Sequence, residues 1–329
     1  MRTPLTDMLG IEHPVMLAGM GGVSYSQLVA AVSAAGGFGC LGASTMSHDQ
    51  MIQEMRAVRE ITDRPFGVDL LTAMPGDMTA RVQALIDEGA SVFVAGLGVP
   101  TEVVRLCHDN EVLVVSMCGK VTHALRAVDA GCDLVVAQGT EAGGHTGQVA
   151  TLPLVPQIVD AVGDRVPVVA AGGIFDGRGL AAALCLGAVG VWVGTRFIAT
   201  PEARAVPGYK ERLIATGEDG TVVTRAYTGK TLRAVRNAYT DEFEKNPDKL
   251  QPFPAQVLRS TSDGAFHLGG DESTAGIDAE RECYPAGQGT GAITDLVPAG
   301  ELVHRFVAEA EAALAPLQVG NAKSGEQSA

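Results

Sequence analysis

"VPVVAAGGIFDGRGLAAALCLGAVGVWVGT", from Val166 to Thr195, contains one whole repeating unit. It opens with an apolar run that shows no alternation, as a strand covered on both faces does. Gly172 and Gly173 interrupt it. A helical pattern follows and stops at Gly187, where a helix C-terminus needs a left-handed residue. A second apolar run, "GVWVGT", comes at once. The same ending recurs in "DEGASVFVAG" at Gly89 and in "DAGCDLVVAQG" at Gly131.

Eight such β-rich runs can be read along the chain. They are "PVMLAG" from Pro14, "FGCLG" from Phe38, "FGVDLL" from Phe66, "SVFVAG" from Ser91, "VLVVSM" from Val112, "LVVAQG" from Leu134, "VPVVAAGG" from Val166 and "GVWVGT" from Gly190. Helical patterns lie between most of them. In "SYSQLVAAVSAAGG", Leu28, Val29 and Val32 share a face and Gly36 ends the helix. Eight β units with intervening helices predict an α/β fold, a (β/α)8 TIM barrel. An open doubly wound sheet is the rival, but "GMGG" after the first run lacks the G-x-G-x-x-G spacing.

After Phe197 the chain becomes more charged and richer in proline. Residues 1–205 are expected to form the barrel, completed by 285–320. Residues 206–284 are expected to form a mainly helical lid, and 321–329 a flexible tail. "ELVHRFVAEAEAAL" is an amphipathic helix that packs on its own barrel or on a second copy, so a homodimer is left open.

Composition narrows the function. The 329 residues carry a net charge of -14, which offers no basic face to nucleic acid and no polybasic patch to a membrane. "MRTPLTDMLG" lacks an apolar signal core, and no apolar run reaches membrane-spanning length, so a cytoplasmic protein is expected. The six cysteines are scattered, without C-x-x-C or zinc-ligand spacing, and read as buried thiols; no metal site is expected.

In such a barrel the chemistry lies at the C-terminal ends of the strands, and the loops after strands seven and eight often hold a phosphate. Here those loops contain Gly172 and Gly173, then Gly194 and Thr195. The helix after "DGRG" is expected to aim its positive end at the same anion. His145, in "TEAGGHTG" after strand six, is the candidate proton carrier. His13 precedes strand one, at the wrong end. His48, His108, His123 and His304 fall in helical or connecting patterns, and His267 lies in the charged, proline-containing segment expected to form the lid. Asp69 is a carboxylate inside an apolar strand and needs a partner from a ligand or a neighbouring strand.

"QGTEAGGHTG", "VPVVAAGGIFDGRGLAAALCLGA" and "VGTRF" together resemble the nitronate monooxygenase family, formerly the 2-nitropropane dioxygenases. "EHPVMLAGMGGVSYSQLVAAVSAAGGFGCLG" resembles its first strand–helix–strand, and "YPAGQGTGAI" its C-terminal motif. The resemblance implies noncovalent FMN, with its phosphate on Gly172, Gly173, Gly194 and Thr195. Its ring would lie against Ala18, Gly19 and Met20, near Asp69, Gln138, Gly144 and Gln288. His145 would remove the α-proton of a nitroalkane. The nitronate would then be oxidised with O2 to a carbonyl compound and nitrite. Related flavin-dependent enoyl-acyl-carrier-protein reductases and NADH:quinone reductases share most of these motifs. The alternative is therefore NAD(P)H-dependent reduction of an enoyl thioester or quinone. Two positions depart from the family. "MLAGM" lacks a proline before its first-strand Met, and Asp69 stands where Asn is frequent. A charged Asp69 would oppose added electron density on the ring, whereas a protonated one would act as the amide does.

Overall fold

The structure is a computed structural model and describes residues 1–72, 77–96, 98–267 and 269–322. All eight expected runs are strands. They are named β1 to β8: Val15–Leu17, Gly39–Gly42, Phe66–Leu71, Val92–Gly96, Leu113–Cys118, Leu134–Gln138, Val168–Ala171 and Val191–Val193. They pair in parallel in the order β1-β8-β7-β6-β5-β4-β3-β2. Met16 bridges Phe38 in parallel, and the N–H of Phe38 donates to the Val15 carbonyl at 2.9 Å, which closes the ring.

The lack of alternation now has a cause, because each strand is covered on both faces. Met16, Val94, Val115, Val136, Val169 and Trp192 point into the barrel. Their neighbours Leu17, Phe93, Val114, Val135, Val168 and Val193 belong to the layer under the helices. Gly89, Gly131 and Gly187 end their helices with φ of 75°, 98° and 90°.

The helix Thr195–Ile198 that follows β8 has only four residues. The helix Ala299–Ala322 takes its place against the barrel. It buries Leu302, Val303, Phe306 and Ala310 and lies so close to the helix Gly177–Cys185 that a Cβ on Gly177 would meet the Phe306 carbonyl oxygen at 2.3 Å. The helix therefore packs on its own barrel. The tail beyond Ala322 lies outside the described residues.

Among the described residues, segment 206–284 holds three α-helices, Tyr209–Ala215, Ala238–Lys245 and Ala255–Ser262, and a 3-10 turn, Pro247–Lys249. It also holds two strands that the sequence did not announce, Thr221–Thr224 and Leu232–Val235. Leu232–Val235 pairs antiparallel with Thr221–Thr224 on one side and with Gly144–His145 on the other. A small core of its own, with Tyr227 stacked on Tyr239 at 5.2 Å, supports these elements. All six cysteines are free thiols; five are buried and Cys185 is exposed. No described helix is long and apolar enough to cross a membrane.

Gly177→Ala would normally favour a helix by about 1 kcal/mol. Here its Cβ would also press on the Ala310 nitrogen at 2.5 Å. We expect a net loss of about 1–3 kcal/mol from overpacking, seen as a lower urea midpoint. A midpoint at or above that of the wild type would show that the two helices separate freely.

Candidate active site

A cavity of ≈ 370 Å³ opens at the C-terminal ends of the strands. The loop after β1 brings Ala18, Gly19 and Met20 to it, and β3 brings Asp69. From β6 and its loop come Gln138, Gly144 and His145. The loops after β7 and β8 bring Gly172, Gly173, Gly194 and Thr195. Gln288 does not join them. Its side chain is exposed, on the outside of the short turn Gln288–Ala292, while its N–H donates to the Glu141 carbonyl at 2.9 Å. Its neighbours Gly287 and Gly289 line the cavity instead.

The glycines divide by what they meet. A Cβ on Gly19 would fall 2.2 Å from the Asp69 Cβ, so glycine there lets the Asp69 side chain lie against the β1 loop. Around His145, a Cβ on Gly143 would hit the Ala286 backbone at 2.8 Å, and one on Gly147 would meet the Gly119 carbonyl at 3.1 Å. Those two glycines are accounted for by the protein's own backbone. Gly144 differs, with φ of 72° and open space where a Cβ would stand. Gly172 and Gly173 also have positive φ, at 105° and 70°. Among the described residues, no acceptor is found for the N–H groups of Gly173 and Gly194.

The helix after "DGRG" does not offer its first N–H groups to a ligand, contrary to the sequence expectation. The Asp176 carboxylate caps it, accepting from Arg178 N at 3.0 Å and Gly179 N at 3.2 Å. Glu309 accepts from Gly177 N at 2.9 Å. Two carboxylates already satisfy that end of the helix.

His145 is fixed from two sides. Its carbonyl accepts from Gln138 Nε2 at 3.1 Å. Its Nε2 lies 3.1 Å from the Thr228 hydroxyl, which donates its proton to the Lys230 carbonyl at 3.1 Å. With the Thr228 proton assigned to that carbonyl, Thr228 accepts from Nε2–H and the lone pair falls on Nδ1. Burial, reinforced by the Lys230 charge, holds the imidazole pKa below its ordinary 6.5, so the ring is neutral at neutral pH.

Burial pushes the Asp69 carboxyl up from 3.8 to about 8. Among the described residues no group hydrogen-bonds to it. A neutral carboxyl both donates and accepts, as an amide does. The Thr45 hydroxyl, also on the cavity wall, is buried and without a partner among the described residues.

Two further residues belong to the wall: His267, which the sequence reading set aside, and Glu282, which it did not single out. His267 Nδ1 lies 2.6 Å from one oxygen of Glu282, and the His267 N–H donates to the other at 3.1 Å. Glu282 is buried. A separation of fifteen positions follows no recurrent spacing, and "AFHL" offers only an apolar setting for a histidine.

A barrel mouth of glycine loops with an imidazole and a carboxyl on its wall places the candidate active site where (β/α)8 enzymes carry theirs. Comparison with known proteins gives the family. The nitronate monooxygenase model matches residues 2–80 and 72–309, and the chain belongs to that family. A relative from Mycobacterium tuberculosis, a (3aS,4S,5R,7aS)-5-hydroxy-7a-methyl-1-oxo-octahydro-1H-indene-4-carboxyl-CoA dehydrogenase, is 36% identical over 94% of this chain and 96% of its own. The structure of FabK from Thermotoga maritima is similar with a TM-score of 0.85 and 34% identity, covering 97% of this chain and 99% of that one. That of nitroalkane oxidase from Streptomyces ansochromogenes has a TM-score of 0.82 and 31% identity, covering 95% and 99%.

The raised Asp69 pKa makes a stability prediction. The folded protein keeps a proton there that the unfolded chain loses near pH 3.8, so Asp69 lowers stability progressively as pH rises from about 4 to about 8. Asp69→Asn should remove that slope. Urea midpoints of both proteins at pH 5 and pH 8 check it, and equal pH dependence would mean that Asp69 is charged when folded.

Proposed function

We propose that the protein is an FMN-dependent enzyme that oxidises nitroalkanes or their nitronates with O2 to a carbonyl compound and nitrite. The observation that carries this reading is His145, an imidazole on the cavity wall that burial keeps neutral and that Thr228 holds by one ring nitrogen. Removal of a proton from carbon needs a base that is uncharged at working pH and held in place. The Thr228 hydroxyl acts as the positioning group by holding the proton on Nε2.

FMN suits the remaining wall. Gly172, Gly173, Gly194 and Thr195 would hold its phosphate, with the N–H groups of Gly173 and Gly194 free to donate. Ala18, Gly19 and Met20 would back the ring, with Gln138 and Gly144 at its edge. A protonated Asp69 would present both a donor and an acceptor there, and the orphaned Thr45 hydroxyl offers a further polar contact. When bound, FMN supplies the electron acceptor and the reaction with O2. The chain's own part is to orient the substrate, exclude water and take one proton at His145 Nδ1. The family and the likeness to a nitroalkane oxidase support this substrate class.

A second reading is favoured by the carboxyl-CoA dehydrogenase relative and by the likeness to FabK. It is a redox reaction on an acyl thioester, with NAD(P)H as electron partner. A proton next to a thioester carbonyl is also acidic, so the same base would serve.

An anaerobic absorbance titration separates the two. Bleaching of the flavin by propionate 3-nitronate, with nitrite released when air is admitted, is the expected result. Bleaching by NADH or NADPH alone would move the protein to the second reading. His145→Asn should retain FMN and slow turnover of nitroethane by about 10²–10⁴-fold, with a smaller loss on preformed ethyl nitronate. The acid limb of the wild-type nitroethane profile should fall below pH 6.5, since the base stays neutral to lower pH. Equal losses on both substrates would remove His145 from the proton step.

A further inference from the structure

We propose that His267, held by the buried carboxylate of Glu282, is a second catalytic group. From the lid it donates a hydrogen bond to an oxygen of the group that activates the substrate C–H bond, while His145 takes the proton. This rests on the reading of His145 as the base.

The pair is built rather than incidental. The His267 backbone N–H and ring Nδ1 take one oxygen each of Glu282. The carboxylate accepts, so Nδ1 carries a proton and Nε2 is the ring nitrogen left over. The backbone carbonyl of Glu282 is itself held by Asn237 Nδ2 at 2.8 Å and by the Tyr227 hydroxyl at 3.4 Å. The Glu282 side chain is 2% exposed, and among the described residues its one ion-pair partner is His267. An unpaired carboxylate at that depth is costly, and the neighbour able to supply a positive charge is the imidazole. His267 Nε2, the ring nitrogen left over, is then the donor that the pair would offer to a ligand in the cavity, whose wall holds both residues.

Its position opposes that of His145. The lid turn that follows His267 packs on the loops after β1 and β2. A Cβ on Gly22 would meet Gly269 N at 3.5 Å, and one on Gly269 would meet the Thr45 Cβ at 3.6 Å. His145 follows β6. In the closed ring the β1–β2 side faces the β5–β6 side. Two imidazoles thus enter one cavity from opposite rims, one neutral and one paired with a carboxylate.

That arrangement matches the charge movement of carbon-acid ionisation. The C–H proton passes to His145. The C–H electron pair becomes the C=N bond of a nitronate, and the negative charge settles on its two oxygens. A donor aimed at those oxygens binds the anion more tightly than the neutral nitroalkane, and this difference lowers the barrier.

The test uses FMN-loaded protein and two probes, each titrated by the perturbation of the flavin spectrum. Propionate mimics the planar dioxygen anion, and nitroethane is the neutral counterpart. His267→Gln should weaken propionate by about tenfold or more and nitroethane by less than about threefold, with FMN content unchanged. Glu282→Gln, which leaves the imidazole in place, should weaken propionate in the same direction. If wild type turns over no nitro compound but the propionate loss persists, the nitroalkane reading fails and the oxyanion site stands. Equal propionate affinity in wild type and H267Q overturns the proposal. So does a wild type that binds no propionate, or a loss of FMN affinity with propionate affinity kept.

Discussion

The pairing of Leu232 with His145, and of Arg233 with Gly144, joins the lid to the barrel at the residue proposed as base. Arg233 reinforces it. Its guanidinium is buried, and Nε donates to the Thr140 carbonyl at 2.9 Å while Nη1 reaches the Thr221 hydroxyl at 3.2 Å. His145 is therefore a strand residue as well as a loop residue. Its backbone direction is set by the lid sheet and its ring by Thr228, which lies on the turn leading into that sheet. A loop histidine held only by its own chain would keep rotamer freedom and lose orientation. Gly144, with its left-handed φ and open side, lets the loop bend into this pairing.

The charge state of the mouth follows from burial. The chain as a whole is strongly acidic. An ionised Asp69 without a cation, or a protonated His145 beside Lys230, would each be a buried charge with no compensation. Both groups neutralise, Asp69 by keeping its proton and His145 by releasing its own. Glu282 takes the other course and keeps an imidazole partner within hydrogen-bonding distance. The barrel loops thus present uncharged polar groups, and the segment above them carries the hydrogen-bonded His267–Glu282 pair.

The barrel was legible because its signals are local. Strands buried on both faces need no alternation, and Gly89, Gly131 and Gly187 mark helix ends by a backbone requirement that other residues meet poorly. The closing helix was legible as amphipathic, but its place was not; that depended on the gap left by the four-residue helix after β8. The lid strands escaped notice because "LRAV" hides a buried arginine whose partners lie over ninety residues away or across a hairpin. Gln288 shows a different limit. The resemblance put the Gly-rich C-terminal return, residues 284–293, at the mouth, yet the one long side chain of the turn Gln288–Ala292 is exposed and does not line the cavity.

The glycines around His145 show where sequence reading needs geometry. A run of small residues beside a histidine fits a loop that hugs a ligand, but it fits equally a loop on which other backbone lies flush. Gly143 packs on the return at Ala286, and Gly147 on Gly119 after β5. These contacts fix the β6 loop between its neighbours and the C-terminal return. The return is in turn tied down, since Gly287 N donates to the Thr195 hydroxyl at 2.9 Å. Thr195 therefore accepts from the return while its own proton remains available to a ligand. One hydroxyl at the end of β8 joins the proposed phosphate loop, the return and, through Gly143, the proposed base. Close packing of glycine backbones is what lets three loops from distant parts of the chain share so small a mouth.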